Sequence, residues 1–551
     1  MAPSPFSVWR ALAILGLAAA LFAVAPAIHA QQPTNAETAD QAFRRGLAFQ
    51  QERRTLEAIA AYEQALKIDP FHARAHWEIG WSFWVLTKWP EVVRHWEIAR
   101  GLKLEEPELE DYLQRARDQL EGKVEPLVRA PIGTRAVWNP PAGSPPGQKG
   151  LSVELFARFQ HYDPEPENPA DRFDRFVFSP KSVHFAAGKV YVNALEGFST
   201  LVFDPVSPSR SKVIPHRFEG NEPVFSDGTG GGAGEAAGAA WVPFPPGAPP
   251  EHNRFSGKPV EFASTHSGRY LWVSYYRRDF DKNGVMPSAV AVIDTRRDEI
   301  VRVIDTGPIP KFLAASPDGH WLAVSHWGDN TVGLIDVSAP EPGGFRRAAL
   351  ITVGKRLPLE GAENVDRDRY CGYCLRGTVF TADSRFLLVG RMGGGGIAVL
   401  DVEARKYLGT VEGMPPTPRQ LELSRDGASL YVGSNQSGHV SLYRAMDLVQ
   451  AAQSGRRSLP ALREGRTGVG TRTIALSPGG TLVYAAVNNG SKVVVLDAET
   501  LQARLEIPVD SYPVGLAISP DGAQLWVTSQ GRGLRGGNSI SVYRVSESAA
   551  P

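Results

Sequence analysis

The stretch KFLAASPDGHWLAVSH, residues 311–326, decides the fold. An apolar run is followed by the turn Ser316-Pro317-Asp318-Gly319, and a second apolar run ends at Ser325-His326. Asp-Gly pairs supply the backbone conformations that tight hairpins need, so the stretch predicts two antiparallel strands. A third strand follows and ends at Asp336. Working outward, the turn recurs as Ser519-Pro520-Asp521-Gly522, with weaker copies through Asp383 and Asp426-Gly427. Third strands end at Asp204, Asp294, Asp336, Asp401, Arg444, Asp497 and Arg544. That is seven units of roughly 40 residues, each with four expected strands, which is the sequence signature of a β-propeller.

The last unit runs out after its third strand, at Tyr543, and Leu151 to Phe159 can supply the missing outer strand. Such a closure removes two sheet edges. Second strands such as 189–193, 270–274 and 525–529 resemble the YVTN repeat. The resemblance, to YncE-like and surface-layer-type propellers, covers about residues 151–546 and implies a binding class of protein. No series of Trp-Asp dipeptides marks a WD40 propeller.

Residues 39–106 carry a different, 34-residue period. Gly46, Phe49, Ala58, Tyr62, Ala65 and Pro70, then Ile79, Gly80, Phe83, Trp96 and Ala99, resemble two tetratricopeptide (TPR) repeats; Val92 and Leu104 depart from the pattern. A polar stretch, Glu108 to Leu120, reads as the capping helix of a short solenoid. Trp77, Trp81 and Trp84 fall on one helical face. The resemblance places them in a concave groove, either as anchors for a protein partner or as internal packing against the cap or the propeller.

The expected fold class is therefore a small all-α TPR domain followed by an all-β seven-bladed propeller. The expected division is 1–30 signal peptide, 34–122 TPR domain, 123–150 Pro-rich linker and 151–551 propeller. Arg10, the apolar run Ala11 to Val24 and the small residues Ala25, Ala27 and Ala30 predict a cleaved secretory signal. A periplasmic or secreted protein with no later membrane span is expected. The chain has 551 residues and a formal net charge of zero, so any charged partner must be recognised by a local patch.

That patch is sought on the inner strands. Counting back seven residues from each turn Asp, or its equivalent, gives Lys311, Arg376, Arg419 and Arg472 in blades three to six, and Val260 and Val514 in blades two and seven. Four consecutive blades thus aim a cation at one mouth of the channel, with His326 and Arg391 expected on the same rim. Clustered like charges are costly unless something compensates. They imply either a site for carboxylate, phosphate or nucleic-acid backbone, or pairing with acids such as Glu422, Glu360 and Glu363. Long insertions at 219–258, 276–288, 355–372 and 530–538 map to that face, while those at 338–345 and 445–460 map to the other.

Asp279, Asp281 and Asn283, with Gly284, open like a Ca²⁺ loop, but Val290 stands where a bidentate Glu would be; the alternative is an Asn-Gly turn. No other cofactor is expected. Cys371 and Cys374 are the only cysteines, and Leu375 follows where haem attachment needs His, so a local disulfide is expected. The Gly-rich run 228–238 lacks the Lys and hydroxyl of a phosphate loop. No local catalytic signature is found, which favours a non-catalytic binding or scaffold protein. The competing readings are a metal-assisted hydrolase or lactonase, a cofactor-linked oxidoreductase accessory, and a single-stranded nucleic-acid binder stacking bases on Tyr275, Tyr276 and Trp327.

Overall fold

The computed structural model describes residues 37–548, apart from positions 53, 87 and 107 and the stretches 122–128, 142–148, 226–243, 245–247 and 532–536. The expected signal segment 1–30 and the Gly-rich run 228–238 lie outside the described residues.

Seven antiparallel sheets form the blades of a β-propeller. Their strands span 180–215, 254–306, 310–352, 375–411, 418–466, 471–508 and 513–548. The innermost strand of each blade touches those of both neighbours, and the innermost strand of blade seven, Pro513–Ile518, meets that of blade one, Pro180–Ala186, so the ring is closed. The hydroxyl–x–Asp turns recur as hydrogen-bonded units. Ser316, Thr381, Ser424 and Ser519 each donate to the Asp two residues on, and that Asp accepts a backbone N–H beyond it. Gly319, Gly427 and Gly522 take positive φ at the same turns, which a residue without Cβ adopts at no steric cost.

Blade seven is completed from the front of the domain. Gly150–Gln160 pairs antiparallel with Ser539–Ser548, and Arg135–Trp138 adds a further strand outside it. The expected linker 123–150 is thus part sheet, because Arg135 to Trp138 pair with Glu154 to Leu151 and bring Trp138 against the blade six to seven core. Seven apolar clusters fill the seven interfaces between blades, each built from strands of two adjacent sheets. The 445–460 insertion contains a helix, Ala445–Gln453, whose apolar face packs into the core between blades four and five.

Among the described residues five helices precede the propeller: α1 (Ala39–Gln51), α2 (Thr55–Ile68), α3 (Ala73–Val85), α4 (Trp89–Gly101) and α5 (Leu109–Leu120). They pack in succession, α1 on α2, α2 on α3, α3 on α4 and α4 on α5. Thr38 and Gln41 form a reciprocal cap at the start of α1. Gly80 lets α3 and α4 approach, since a Cβ there would overlap the indole of Trp96. Gly80→Ala is therefore expected to destabilise the helices by about 1–3 kcal/mol, the usual cost of overpacking. Far-ultraviolet circular dichroism should show helical signal melting earlier while the sheet signal is kept. Among the described residues no helix is long and apolar enough to cross a membrane.

Candidate functional site

Every inner strand carries the same irregularity. In six blades the pairing between the first and second strands slips next to the first paired residue, and in blade two, whose inner strand starts earlier, the matching slip follows Pro259. In blade three Pro310 pairs with His326 and Phe312 with Ser325, so Lys311 is the extra residue. In blade five Pro418 pairs with Ser434 and Gln420 with Gly433, so Arg419 is extra. A bulge of this kind leaves one residue outside the ladder and re-aims its side chain. Here that residue is turned toward the channel.

The bulge holds Lys311, Arg376, Arg419 and Arg472 in blades three to six, Val260 and Val514 in blades two and seven, and Lys181 in blade one. The count from the turn Asp misses Lys181 because the first turn of blade one is Ala187-Gly188, without Asp. The signal lay at the other end of the strand. Pro180-Lys181 repeats Pro310-Lys311 and Pro418-Arg419, while Pro259-Val260 and Pro513-Val514 mark the apolar copies. Hydroxyls of neighbouring blades fix several bulges. Thr528 donates to the carbonyl of Lys181, Ser182 to that of Val260, Ser325 to that of Arg376 and Thr473 to that of Val514.

Five cations therefore share one opening, and they feel one another. Burial lowers the pKa of Lys181, and the fields of Arg472, Arg376 and Arg419 lower it further. Burial, then Arg376, Arg419 and Arg472, likewise depress Lys311. Arg376 is pulled down by burial to about 10, and Arg419 and Arg472 are lowered by the same cause. Lys181, Arg376 and Arg419 are 8%, 5% and 8% exposed, so the charges sit recessed in the channel.

Two carboxylates answer them. Glu261, in the blade two bulge, reaches Arg376 at 3.0 Å, and Asp368, from the loop before blade four, lies 3.4 Å from Lys311 and 3.7 Å from Arg277. Burial raises the pKa of Asp368. Among the described residues Lys181, Arg419 and Arg472 have no carboxylate within ion-pair distance. Aromatic rings border the opening. Lys311 lies 3.8 Å from the Tyr276 ring centroid and 5.1 Å from that of Trp327, and Arg472 lies 5.7 Å from that of Tyr512. Farther along the inner strands lies a cavity of about 440 Å³ lined by Glu261, Gln420 and Glu422 among others. Burial there raises the Glu422 carboxyl to about 7. Glu422 lines this cavity, and Glu360 and Glu363 form none of the ion pairs made by the five cations.

His326 and Arg391 do not join the ring. The His326 side chain is fully buried; Nε2 accepts from the Gly307 N–H, and the ring bonds Thr306 and Thr331. The Arg391 guanidinium lies 3.9 Å over the Tyr373 ring. Cys371 and Cys374 are disulfide-bonded to each other in the loop carrying Tyr373, just before Arg376. His216 occupies a buried setting like that of His326, bonded to Thr200 and Tyr275. Burial holds both rings neutral, with pKa values of about 3. An unfolded His charges near pH 6.5. Their contribution to stability is thus complete above about pH 6.5 and is lost as pH falls toward the folded value. The urea midpoint of unfolding is expected to decline steadily from about pH 7 to pH 4, less steeply in His326→Gln.

The remaining candidates lie apart. Asp281 spends its carboxylate on the backbone N–H groups of Gly284, Val285 and Met286, and Asn283 donates to the carbonyl of Glu363. Asp279 instead lines a cleft of about 670 Å³ between α3 and the propeller face, together with Trp81, Phe178, Phe198 and Arg217. Among the described residues no group of three or more His, Cys, Asp or Glu could hold a metal ion. Trp77 and Trp84 are buried against Trp96 and the α5 residues Leu109 and Leu113. Trp81 stacks edge-on with Tyr112 of α5 and is the member of the trio that reaches the cleft. A 3.6 Å ion pair between Glu57 and Arg175 also joins helices and propeller.

No protein-family model matches the chain, and no curated protein matches it in sequence. Solved structures similar in shape include the hydrazine synthase of Kuenenia stuttgartiensis, 14% identical, with a TM-score of 0.44 over 66% of this chain and 95% of that one. Another is the Cps50 (Swd1) β-propeller domain of Myceliophteria thermophila, 15% identical, with a TM-score of 0.46 over 67% of this chain and 97% of that one. The propeller architecture itself is read from the strand pairing of this chain, whose seven sheets close into one ring.

Proposed function

We propose that this is an exported, non-catalytic binding protein whose propeller channel captures an anion. The observation that carries the reading is the set of five cations delivered by equivalent bulges to one opening, three of them without a carboxylate partner among the described residues. An unpaired buried charge is expensive, and a bound anion removes that cost. The basic rim also disfavours lactonase-type chemistry, which on similar folds relies on rim acids and a metal. The resemblance of the blades to YVTN repeats supports a binding role. The resemblance of residues 39–106 to TPR repeats supports a helical module that mediates protein contacts. Trp81 and the cleft beside it are the part of that module's tryptophan face left for a partner or ligand. The test is calorimetric titration of the full chain, and of the Arg376→Ala, Arg419→Ala, Arg472→Ala triple variant, with citrate and pyrophosphate. Binding by the parent and loss in the triple variant support the reading; equal binding by both overturns it.

A further inference from the structure

Glu261 occupies an unusual place. It follows Val260 in the blade two bulge, and the two residues together oppose Ser274 of the second strand. Its carboxylate does not pair with a near neighbour. It passes blade three and meets Arg376 of blade four at 3.0 Å. Its field also reaches Lys181 of blade one, Arg419 of blade five and Arg472 of blade six. One carboxylate that bonds Arg376 and is felt by cations of three further blades marks a place where an anion interacts with several of them at once. Lys311, the fifth cation, is served separately by Asp368.

The charges also bound the ligand. Asp368 serves both Lys311 and Arg277, and Glu261 serves Arg376, so among the described residues three of the five cations, Lys181, Arg419 and Arg472, remain without a carboxylate. Lys181, Arg376 and Arg419 are buried, and Tyr276, Trp327 and Tyr512 lie against Lys311 and Arg472, so the charge is met best by something compact enough to enter the channel. A nucleic-acid backbone spaces its charges along a chain and suits an open groove better than such a well.

We propose that Glu261 is a built-in competitor, holding the ring together in the unliganded protein, and that the ligand which outcompetes it is a compact oxyanion of about three negative charges, a tricarboxylate or a pyrophosphate-like group. This rests on the anion-site reading above. It extends that reading by assigning Glu261 a role opposed to ligand binding and by setting the valence of the ligand. A free monoanion brings no more charge than Glu261 itself and lacks its attachment to the chain, so it competes poorly.

The experiment is titration of the full chain at low ionic strength with citrate, pyrophosphate, acetate and a short oligothymidylate, repeated on Glu261→Gln. Citrate or pyrophosphate should bind the parent at least tenfold more tightly than acetate, and whichever is tighter tells carboxylate from phosphate recognition. Glu261→Gln should bind the same polyanion about tenfold or more tightly than the parent, because a buried carboxylate coupled to the cations is gone. Acetate matching citrate, or oligothymidylate binding tightest, would overturn the compact polyanion. Unchanged or weakened polyanion binding by Glu261→Gln would overturn the competitor role. Both of these results leave anion binding itself standing. If no anion binds either protein, the anion site falls and this inference with it. Should Glu261→Gln not fold, Glu261→Asp keeps the charge but withdraws it from Arg376; affinity equal to the parent's would then reject the competitor role.

Discussion

The triple variant Arg376→Ala, Arg419→Ala, Arg472→Ala is expected to lose polyanion affinity by more than about 100-fold, the scale seen when buried charge partners are truncated. Stability should move the other way for part of the set. Arg419 and Arg472 carry no carboxylate partner among the described residues, and each depresses the pKa of Lys181 and Lys311 by its field. Removing these two removes repulsion and desolvation without orphaning an acid. Arg419→Met, Arg472→Met should therefore be as stable as the parent, or more stable by about 1 kcal/mol, discounted because the channel is open to water. Arg376 differs, since its loss strands Glu261. Arg376→Met alone should be destabilising, and Arg376→Met with Glu261→Gln should recover part of the loss. Urea denaturation without added anion reads all of these. A drop in stability for the Arg419 and Arg472 pair would mean that those side chains hold the channel together.

The second large effect concerns closure. Leu155, in the strand Gly150–Gln160, is fully buried and packs in a cluster with strands of blades six and seven. Leu155→Asp places an unpaired carboxylate there and is expected to cost about 4 kcal/mol or more, the range reserved for cores broken by buried charge. Deleting residues 1–160 should be worse. It leaves Ser539–Ser548 as a long unpaired edge and uncovers the cores on either side of blade seven. Unpaired edges of that kind recruit other chains. Aggregation, followed by light scattering, is the expected outcome; a soluble, cooperatively melting product would show that three strands suffice for blade seven.

Much of this architecture was legible because it repeats. Asp318, Asp383, Asp426 and Asp521 each sit two residues after a Ser or Thr, and a motif repeated that often survives local noise. The closing strand was legible by subtraction, since a blade lacking its fourth strand must borrow one. Lys181 was missed because blade one turns on Ala187-Gly188 and gives no Asp from which to count. His326 and Arg391 were placed on the rim by strand position alone. The side chains turn elsewhere, His326 to Thr331 and Arg391 onto Tyr373, because local hydrogen bonding and stacking decide direction where the backbone leaves a choice. Asp281 resembled a calcium ligand because an Asp that accepts several backbone N–H groups and an Asp that binds a cation use the same short sequence. The reach of Glu261 across the channel to Arg376 could not be read from one dimension, since it depends on the diameter of the ring.

The pairing of Gly150–Gln160 with Ser539–Ser548 sets an order of events. Lys149 and Glu547, which meet at 2.9 Å, are separated by 398 positions along the chain. Entropy opposes bringing such distant segments together, and contacts of long sequence separation form late. Gly150–Gln160 can pair early with Arg135–Trp138, but it must wait for its partner in blade seven until Ser539–Ser548 has been made. The ring cannot lock before Ser539–Ser548 exists, although the strands that carry the five cations, between residues 180 and 476, are made well before it.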